Sequence, residues 1–251
     1  MTISISQIAR YPIKGLSAEA LPRVALTPGR TIPGDRRFAI RHGKSAFDPA
    51  SPTWQPKTEF LMLAREEQLA AIATSLDLQT GHLRLSLGSQ FHFEGNVFTP
   101  AGRAAADKAL NTLLPDSRGA LSMVDAGQIS LTDCQVARIS FLNPASARDL
   151  AAKTGHPVDC LRFRGNILID GLAPWAEFDW VGKTLSIGST RLFVQKRIQR
   201  CAAITVNPAT AQRDINLLKS LQDHYGHVDF GIYAVVESGG DIAVGDPIVV
   251  T

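Results

Sequence analysis

MTISISQIARYPIKG, residues 1–15, interleaves apolar residues with polar ones. Ile3 and Ile5 share one face of an extended strand, Ile8 is a candidate third member, and Arg10-Tyr11-Pro12 ends the run. The unbroken apolar run of a signal peptide is missing. The same period returns at Val24–Leu26, Phe38–Ile40, Phe60–Leu63, Leu83-Leu85-Leu87 and Phe91-Phe93. In the second half it marks Ile167–Ile169, Leu185–Ile187, Leu192–Val194, Ile204–Val206, Tyr233–Val236 and Ile248–Val250. Gly, Pro and Asn punctuate these segments. Short strands at such spacing predict a mainly β chain, barrel or sandwich, rather than a doubly wound parallel sheet.

Helical periodicity is confined to Arg65–Ala73, Ala101–Leu114, Ser146–Thr154 and Pro208–His224, the last with Asn207 as its expected N-cap and Pro208 at the first helical position. The polar stretch from Pro115 to Gly127 is the natural boundary, which predicts two domains, 1–120 and 121–251. With 251 residues, 45% hydrophobic and 20% charged, the chain has ample material for a core, and it is neither disordered, coiled-coil nor collagenous. No segment reaches the roughly 18 apolar residues of a membrane span. The net charge of +3 is scattered along the chain, so it points to a local anion site and not to a nucleic-acid footprint. Three cysteines are too few and too far apart for a disulfide scaffold, a CxxC zinc site or an iron–sulfur cluster. The expectation is a cytoplasmic protein with no nucleic-acid partner and no membrane partner.

Several segments carry chemistry. Cys201 ends Lys196-Arg197-Ile198-Gln199-Arg200-Cys201, flanked by three cations. Positive charge near a thiol favours the thiolate, the form that attacks or binds metal, although this segment alone favours a small buried side chain beside a solvated basic edge. Arg162 and Arg164 are two apart in what reads as an extended segment, which would put both forks on one face, ready for a phosphate or carboxylate, or simply exposed. Asn166 could bond backbone or ligand. Lys14 in Tyr11-Pro12-Ile13-Lys14-Gly15 and Arg36 in Gly34-Asp35-Arg36-Arg37-Phe38 each place a cation at a glycine-marked turn, where freed N–H groups can cradle an anion. Lys57 either extends that basic patch or is an ordinary surface lysine. His224 and His227 resemble a metal pair, but Gly226 interrupts them and no third ligand is suitably spaced. The nucleophile elbow, Walker loop, His-Glu-x-x-His and Gly-x-Gly-x-x-Gly patterns are missing, which disfavours the usual hydrolases, NTPases and dinucleotide enzymes.

In order along the chain stand Tyr11-Pro12-Ile13-Lys14-Gly15, Asp35-Arg36-Arg37-Phe38, Arg164-Gly165-Asn166, Arg200-Cys201 with Thr205-Val206-Asn207-Pro208, Phe230-Gly231-x-Tyr233 and Val244-Gly245-Asp246-Pro247. Together they resemble the MOSC family, with its N-terminal MOSC β-barrel domain, and in particular the mitochondrial amidoxime-reducing component and its bacterial relatives. The resemblance spans about residues 3 to 250. It implies a β-barrel-based, mainly β fold with a few helices, an N-terminal MOSC-type barrel domain and a C-terminal MOSC β-barrel domain. It implies a molybdenum cofactor (molybdopterin) held between the domains, with Cys201 as metal ligand and catalytic centre. Lys14, Arg36, Lys57, Arg162, Arg164, Asn166 and Arg200 would hold the cofactor. The implied activity is reduction of small N-hydroxylated substrates such as amidoximes, hydroxylamines and N-hydroxylated bases. Electrons would come from a separate donor protein of the ferredoxin, cytochrome b5 or flavin reductase type. A non-catalytic carrier of the cofactor, or of sulfur on Cys201, is the alternative. The chain departs from the amidoxime-reducing type at Gly15, where Ser is common, and at Ile198 and Gln199, where small or thiol residues precede Arg-Cys; these positions bear on substrate range and cofactor variant.

Overall fold

The first strand shows how this sequence meets its sheet. Ile5 and Ile8 are both fully buried although an ideal strand would point them to opposite faces. In the computed structural model, which describes residues 2–115 and 117–251, the ladder shifts register between Ile5 and Gln7, and this bulge returns Ile8 to the core side. Met1 lies outside the described residues, as does Asp116 within the polar stretch from Pro115 to Gly127.

Fifteen strands and three α-helices are formed among the described residues. The strands of the first half are β1 (Ser4–Arg10), β2 (Glu19–Leu21), β3 (Arg23–Leu26), β4 (Phe38–Arg41), β5 (Ala73–Leu76), β6 (His82–Leu87), β7 (Phe91–Asn96) and β8 (Ser122–Asp125), with helix α1 (Pro100–Leu113) between β7 and β8. There follow β9 (Ile139–Leu142), α2 (Pro144–Thr154), β10 (Ile167–Asp170), β11 (Thr184–Ile187), β12 (Thr190–Gln199), α3 (Leu217–Tyr225), β13 (Asp229–Ser238), β14 (Gly240–Ala243) and β15 (Val249–Val250). The chain is mainly β, as the alternation predicts.

The largest sheet has eight strands in the order β15-β11-β12-β13-β9-β10-β1-β2. All its neighbours are antiparallel except β9 and β10. The pairs β3–β14 and β4–β8 and the meander β5–β6–β7 complete the structure. The expected barrel is not closed: the sheets remain open ladders. Between β15 and β1 there is one isolated bridge, Ser4 to Pro247, with backbone bonds from Ile5 N to Asp246 O at 2.9 Å and from Ile248 N to Ile3 O at 2.9 Å. Pro247 has no N–H to donate, and β15 is only two residues long, so the ladder stops there.

The main core lies inside this sheet and takes Ile5, Ile8, Phe141, Ile167, Leu192, Val194 and Ile232. A second cluster, with Leu16, Phe38, Leu61, Leu85 and Leu110, is drawn from residues 13 to 123 plus Val206. A third packs Leu150 of α2 and Leu217 and Leu221 of α3 around Phe163 and Phe230, whose rings stack at 3.6 Å.

Helix α1 starts from Thr99, whose side chain accepts the Gly102 N–H, with Pro at the start of the helix; α2 repeats the pattern with Asn143. Two predicted helices are corrected. The segment Arg65–Ala73 shrinks to a 3-10 turn over Glu67–Ala71, because from Ala73 the backbone pairs with β6. The helix predicted from Pro208 begins only at Leu217, capped by Asn216, while Asn207 caps a local turn at Ala209 and donates to Asp214. Two predicted strands change as well. Phe60–Leu63 makes a single bridge, Arg41 to Phe60, and Ile204–Val206 falls in and after a 3-10 turn over Ala202–Thr205. No described helix is long and apolar enough to cross a membrane.

Gly231 sits mid-strand at φ 75°, where an added Cβ would lie 2.4 Å from the Phe141 carbonyl oxygen. Gly231→Ala therefore combines left-handed strain with a backbone clash and is expected to lower stability by at least about 2 kcal/mol, read as a shift in the denaturant midpoint.

Candidate functional site

A cavity of about 640 Å³ opens between the large sheet and the elements of the first half of the chain. Nine of the protein's 26 cations line it, against two acids, Asp133 and Asp229. That imbalance in a nearly neutral chain marks a site for an anion.

Behind two of the lining arginines lies Tyr11, which follows β1 and is buried. The guanidinium carbons of Arg36 and Arg164 stand over the Tyr11 ring at 4.2 and 4.3 Å. Arg36 donates to Asp35 at 2.5 Å and to the Arg164 carbonyl oxygen at 2.9 Å. Burial disfavours its charge, but Asp35, only 1% exposed, outweighs this and raises the Arg36 pKa. Arg164 has no such carboxylate. Burial and then Arg36 bring its pKa down to about 10. Nη1 of Arg164 donates to the Leu16 carbonyl oxygen at 2.8 Å, while its buried Nη2 has no partner among the described residues. Burial also raises the Tyr11 hydroxyl to about 12, against the pull of Arg164 and Arg36.

Beside them Lys14, 6% exposed, donates to the Leu131 carbonyl oxygen at 2.7 Å and to Asp133 Oδ1 at 2.6 Å. Burial lowers the Lys14 pKa, with Asp133 opposing it. Lys57, carried by a 3-10 turn over Lys57–Glu59, reaches Asp133 Oδ2 at 3.4 Å and Cys201 Sγ at 3.3 Å. Burial works against its charge too, but Asp133 and Cys201 raise the Lys57 pKa. The four side chains form one polar chain, Lys14–Asp133–Lys57–Cys201.

Cys201 is partly exposed and ends the extended run of β12. The cation that touches its sulfur is Lys57, 144 residues away in sequence, and not one of the flanking trio. Arg200 turns inward, donating to the Phe163 carbonyl oxygen at 2.6 Å and to the Phe230 carbonyl oxygen, and Arg197 stacks over Phe178 at 4.3 Å.

All eight residues singled out in the sequence therefore line one cavity: Cys201, Lys14, Arg36, Lys57, Arg162, Arg164, Asn166 and Arg200. Their local geometry differs from expectation in one respect. Arg162 and Arg164 are not strand neighbours: residues Cys160–Phe163 form a 3-10 turn, and Arg164 follows at φ 51°. Arg162, its side chain 2% exposed, pairs with Asp214 at 2.7 Å and leaves its buried Nε without a partner among the described residues. The adjacent forks are instead Arg36 and Arg164, brought together from different elements. Asn166 is a latch: its Oδ1 accepts from the Ser140 hydroxyl at 2.8 Å and its Nδ2 donates to the Ala9 carbonyl oxygen at 3.2 Å. Of the other cysteines, Cys160 is buried, which raises its thiol to about 12, and Cys134 lines the cavity against the Tyr233 hydroxyl. His227 packs among Trp175, Phe178 and Tyr225.

Sequence reasoning missed Asp133, which joins the two lysines, and Arg138, which also lines the cavity. Asp133 stands in an unpatterned polar stretch, and only its convergence with Lys14 and Lys57 in space singles it out.

Two family models match the chain: the MOSC N-terminal β-barrel domain over residues 2–133 and the MOSC domain over residues 127–249. A molybdenum cofactor sulfurase of Caenorhabditis briggsae is 31% identical over 92% of this chain and 33% of its own length. Mitochondrial amidoxime-reducing component 1 of Xenopus laevis is 29% identical over 62% of this chain and 44% of its own, and that of Homo sapiens 34% identical over 43% and 35%. The chain thus spans between a third and under half of the length of these relatives.

Asp133 yields a pH prediction. Burial alone would raise its carboxyl, but Lys14 and then Lys57 outweigh it and hold the pKa at about 2, below the ordinary 3.8. A carboxylate depressed in the folded state contributes stability above its unfolded value, and that contribution is lost as pH falls through the folded one. Acid titration of stability should show a component lost between about pH 4 and pH 2 that Asp133→Asn lacks. Because the side chain is 48% exposed, the component is small.

Proposed function

The chain belongs to the MOSC family, and we propose that it is a molybdenum-cofactor-binding oxidoreductase that reduces small N-hydroxylated compounds: amidoximes, hydroxylamines and N-hydroxylated bases. The observation that carries the reading is a partly exposed thiol, Cys201, held by Lys57 at the edge of a cavity whose buried guanidiniums have donors unsatisfied among the described residues, Arg164 Nη2 and Arg162 Nε. Buried polar atoms without partners are rare and mark a place where a ligand supplies them. A phosphate-bearing pterin fits such donors, and a soft thiolate suits a metal that also takes sulfur from the pterin.

When bound, the cofactor would supply a two-electron centre for removing oxygen from the substrate. The residues of the chain do the rest. Cys201 Sγ would hold the metal, and Lys57 Nζ, 3.3 Å from the sulfur, would fix its position. Lys14, Arg36, Arg164 and Arg162 neutralise the anionic group, Arg164 and Arg162 with donors that are otherwise unpaired. Asn166 and Arg200 hold the wall, Asn166 through Ser140 and Ala9 and Arg200 through Phe163 and Phe230. Reduction of an N–OH group takes two electrons and two protons and releases water. The electrons come from a separate ferredoxin, cytochrome b5 or flavin reductase type of protein. The reading includes two working units, 1–120 and 121–251, with the cofactor between them, and a cytoplasmic location.

Protein made in a molybdate-replete host is expected to contain molybdenum and pterin and to reduce benzamidoxime with an artificial electron donor. Absence of both metal and pterin would overturn the reading. Cys201→Ala should lower turnover by more than about 100-fold and weaken metal retention, and Arg164→Met should weaken pterin retention about tenfold. The second reading, a carrier of cofactor or sulfur, draws on the accessible thiol held by Lys57. It is favoured if the protein binds cofactor without turnover or carries cyanide-labile sulfur.

A further inference from the structure

Simple strand geometry would bury Lys196. Val194 belongs to the main core, and residues two apart on a strand share a face. The β12–β13 ladder avoids this by shifting register: Val194 stands opposite Ala234, whereas Lys196 stands opposite Tyr233. Gln195 is thus an extra residue, a β-bulge, and the chain beyond it changes face. Ile232 and Ala234, on either side of Tyr233, are core residues, so Tyr233 and its partner Lys196 face the cavity.

The bulge also places a second cation. Gln195 Oε1 accepts from Arg138 Nε at 2.6 Å. Arg138 lies two residues before Ser140, the partner of Tyr233 on β9, and its guanidinium carbon is 5.9 Å from the Tyr233 ring centroid. Arg138, just ahead of β9, Tyr233 on β13 and Lys196 on β12 therefore form a row on the cavity wall. Of the cations lining the cavity, Lys14, Arg36, Lys57 and Arg162 pair with carboxylates, and among the described residues none pairs with Arg138 or Lys196. Asp229 stands opposite Gln199, toward the Cys201 end.

We infer that Arg138 and Lys196 form a second anion subsite, apart from the Lys14–Arg36–Arg164 group, which selects substrates carrying a carboxylate remote from the reacting group. A guanidinium fork beside an ammonium matches a carboxylate, and the Tyr233 ring between them offers an apolar face to the body of the molecule. Lys196 precedes Cys201 by five residues, a span of at most about 16 Å along an extended chain, so a ring-sized spacer suits the gap. The row lines a concave wall, which favours a small molecule over an acidic protein surface. This inference rests on the reductase reading for the choice of probe, but binding is read without turnover.

Calorimetry with the purified protein should show 4-carboxybenzamidoxime or 4-(2-carboxyethyl)benzamidoxime binding about tenfold more tightly than benzamidoxime. Arg138→Gln with Lys196→Gln should abolish that preference, and Lys196→Glu should reverse it. The wild type's KM values should show the same order. Equal binding of all three probes by the wild type would overturn the inference, as would a preference that survives in the double variant, since the carboxylate would then sit in the Lys14 group. A defect of the double variant confined to assays with a protein electron donor would overturn it in favour of partner docking. A preference in binding without any reduction would leave the subsite standing and defeat the reductase reading instead.

Discussion

The site depends on holding like charges together in a buried place before any ligand arrives. Arg36 and Arg164 both stand over one Tyr11 ring, and their mutual repulsion is strongest where water is excluded. The fold offsets it locally. Asp35 serves three groups at once, accepting from the Tyr11 backbone N–H at 2.9 Å and from Arg36 at 2.5 Å, and offering its carbonyl to Ser130. Arg36 also donates across to the Arg164 carbonyl, so two like-charged residues are tied through backbone. Both sit at positive φ, 49° and 51°, a conformation that side chains other than Gly, Asn and Asp adopt at some cost. Strain and repulsion of this kind persist only where the surroundings impose them.

Asp133 completes the balance on the other side. It neutralises Lys14 and Lys57 together and connects them to the Cys201 sulfur, so the thiol and the anion-binding cations belong to one network. A ligand that brings its own negative charge meets two lysines that share one half-exposed carboxylate, and Arg164, which pairs with no carboxylate among the described residues. Arg200 and Asn166 show a different division of labour: both line the cavity, yet their polar atoms are spent on Phe163, Phe230, Ser140 and Ala9. They keep the walls at the right separation while the buried donors of Arg162 and Arg164 stay without partners among the described residues.

Much of this was legible in the chain, in order and in kind. Alternation at Leu83–Leu87 or Leu185–Ile187 reports a strand directly, since period two is imposed by the backbone. Lys14 and Arg36 were legible as cations at glycine-marked turns and Cys201 as a thiol among cations, the full set of eight came through the family resemblance, and all eight reach one cavity. Their pairing was not. The Arg162–Arg164 segment reads as extended, but the stacked Phe163 and Phe230 rings draw it into a 3-10 turn. The stretch after Cys201 has strand-like composition, yet Ile204 and Val206 are buried in different clusters, which a straight strand could not achieve.

The sequence by itself determined the mainly β character and the residue types that gather at the site, because periodicity and charge are local properties. Only the tertiary structure decided which faces those residues present. Bulges between Ile5 and Gln7 and at Gln195 shift the alternation by one, burying Ile8 and turning Lys196 toward the cavity. A bulge is set by the strand alongside, and nothing within the bulged strand announces it. The contact of Lys57 with Cys201 has the same origin: 144 residues separate them, and only the packing of the two halves brings them together.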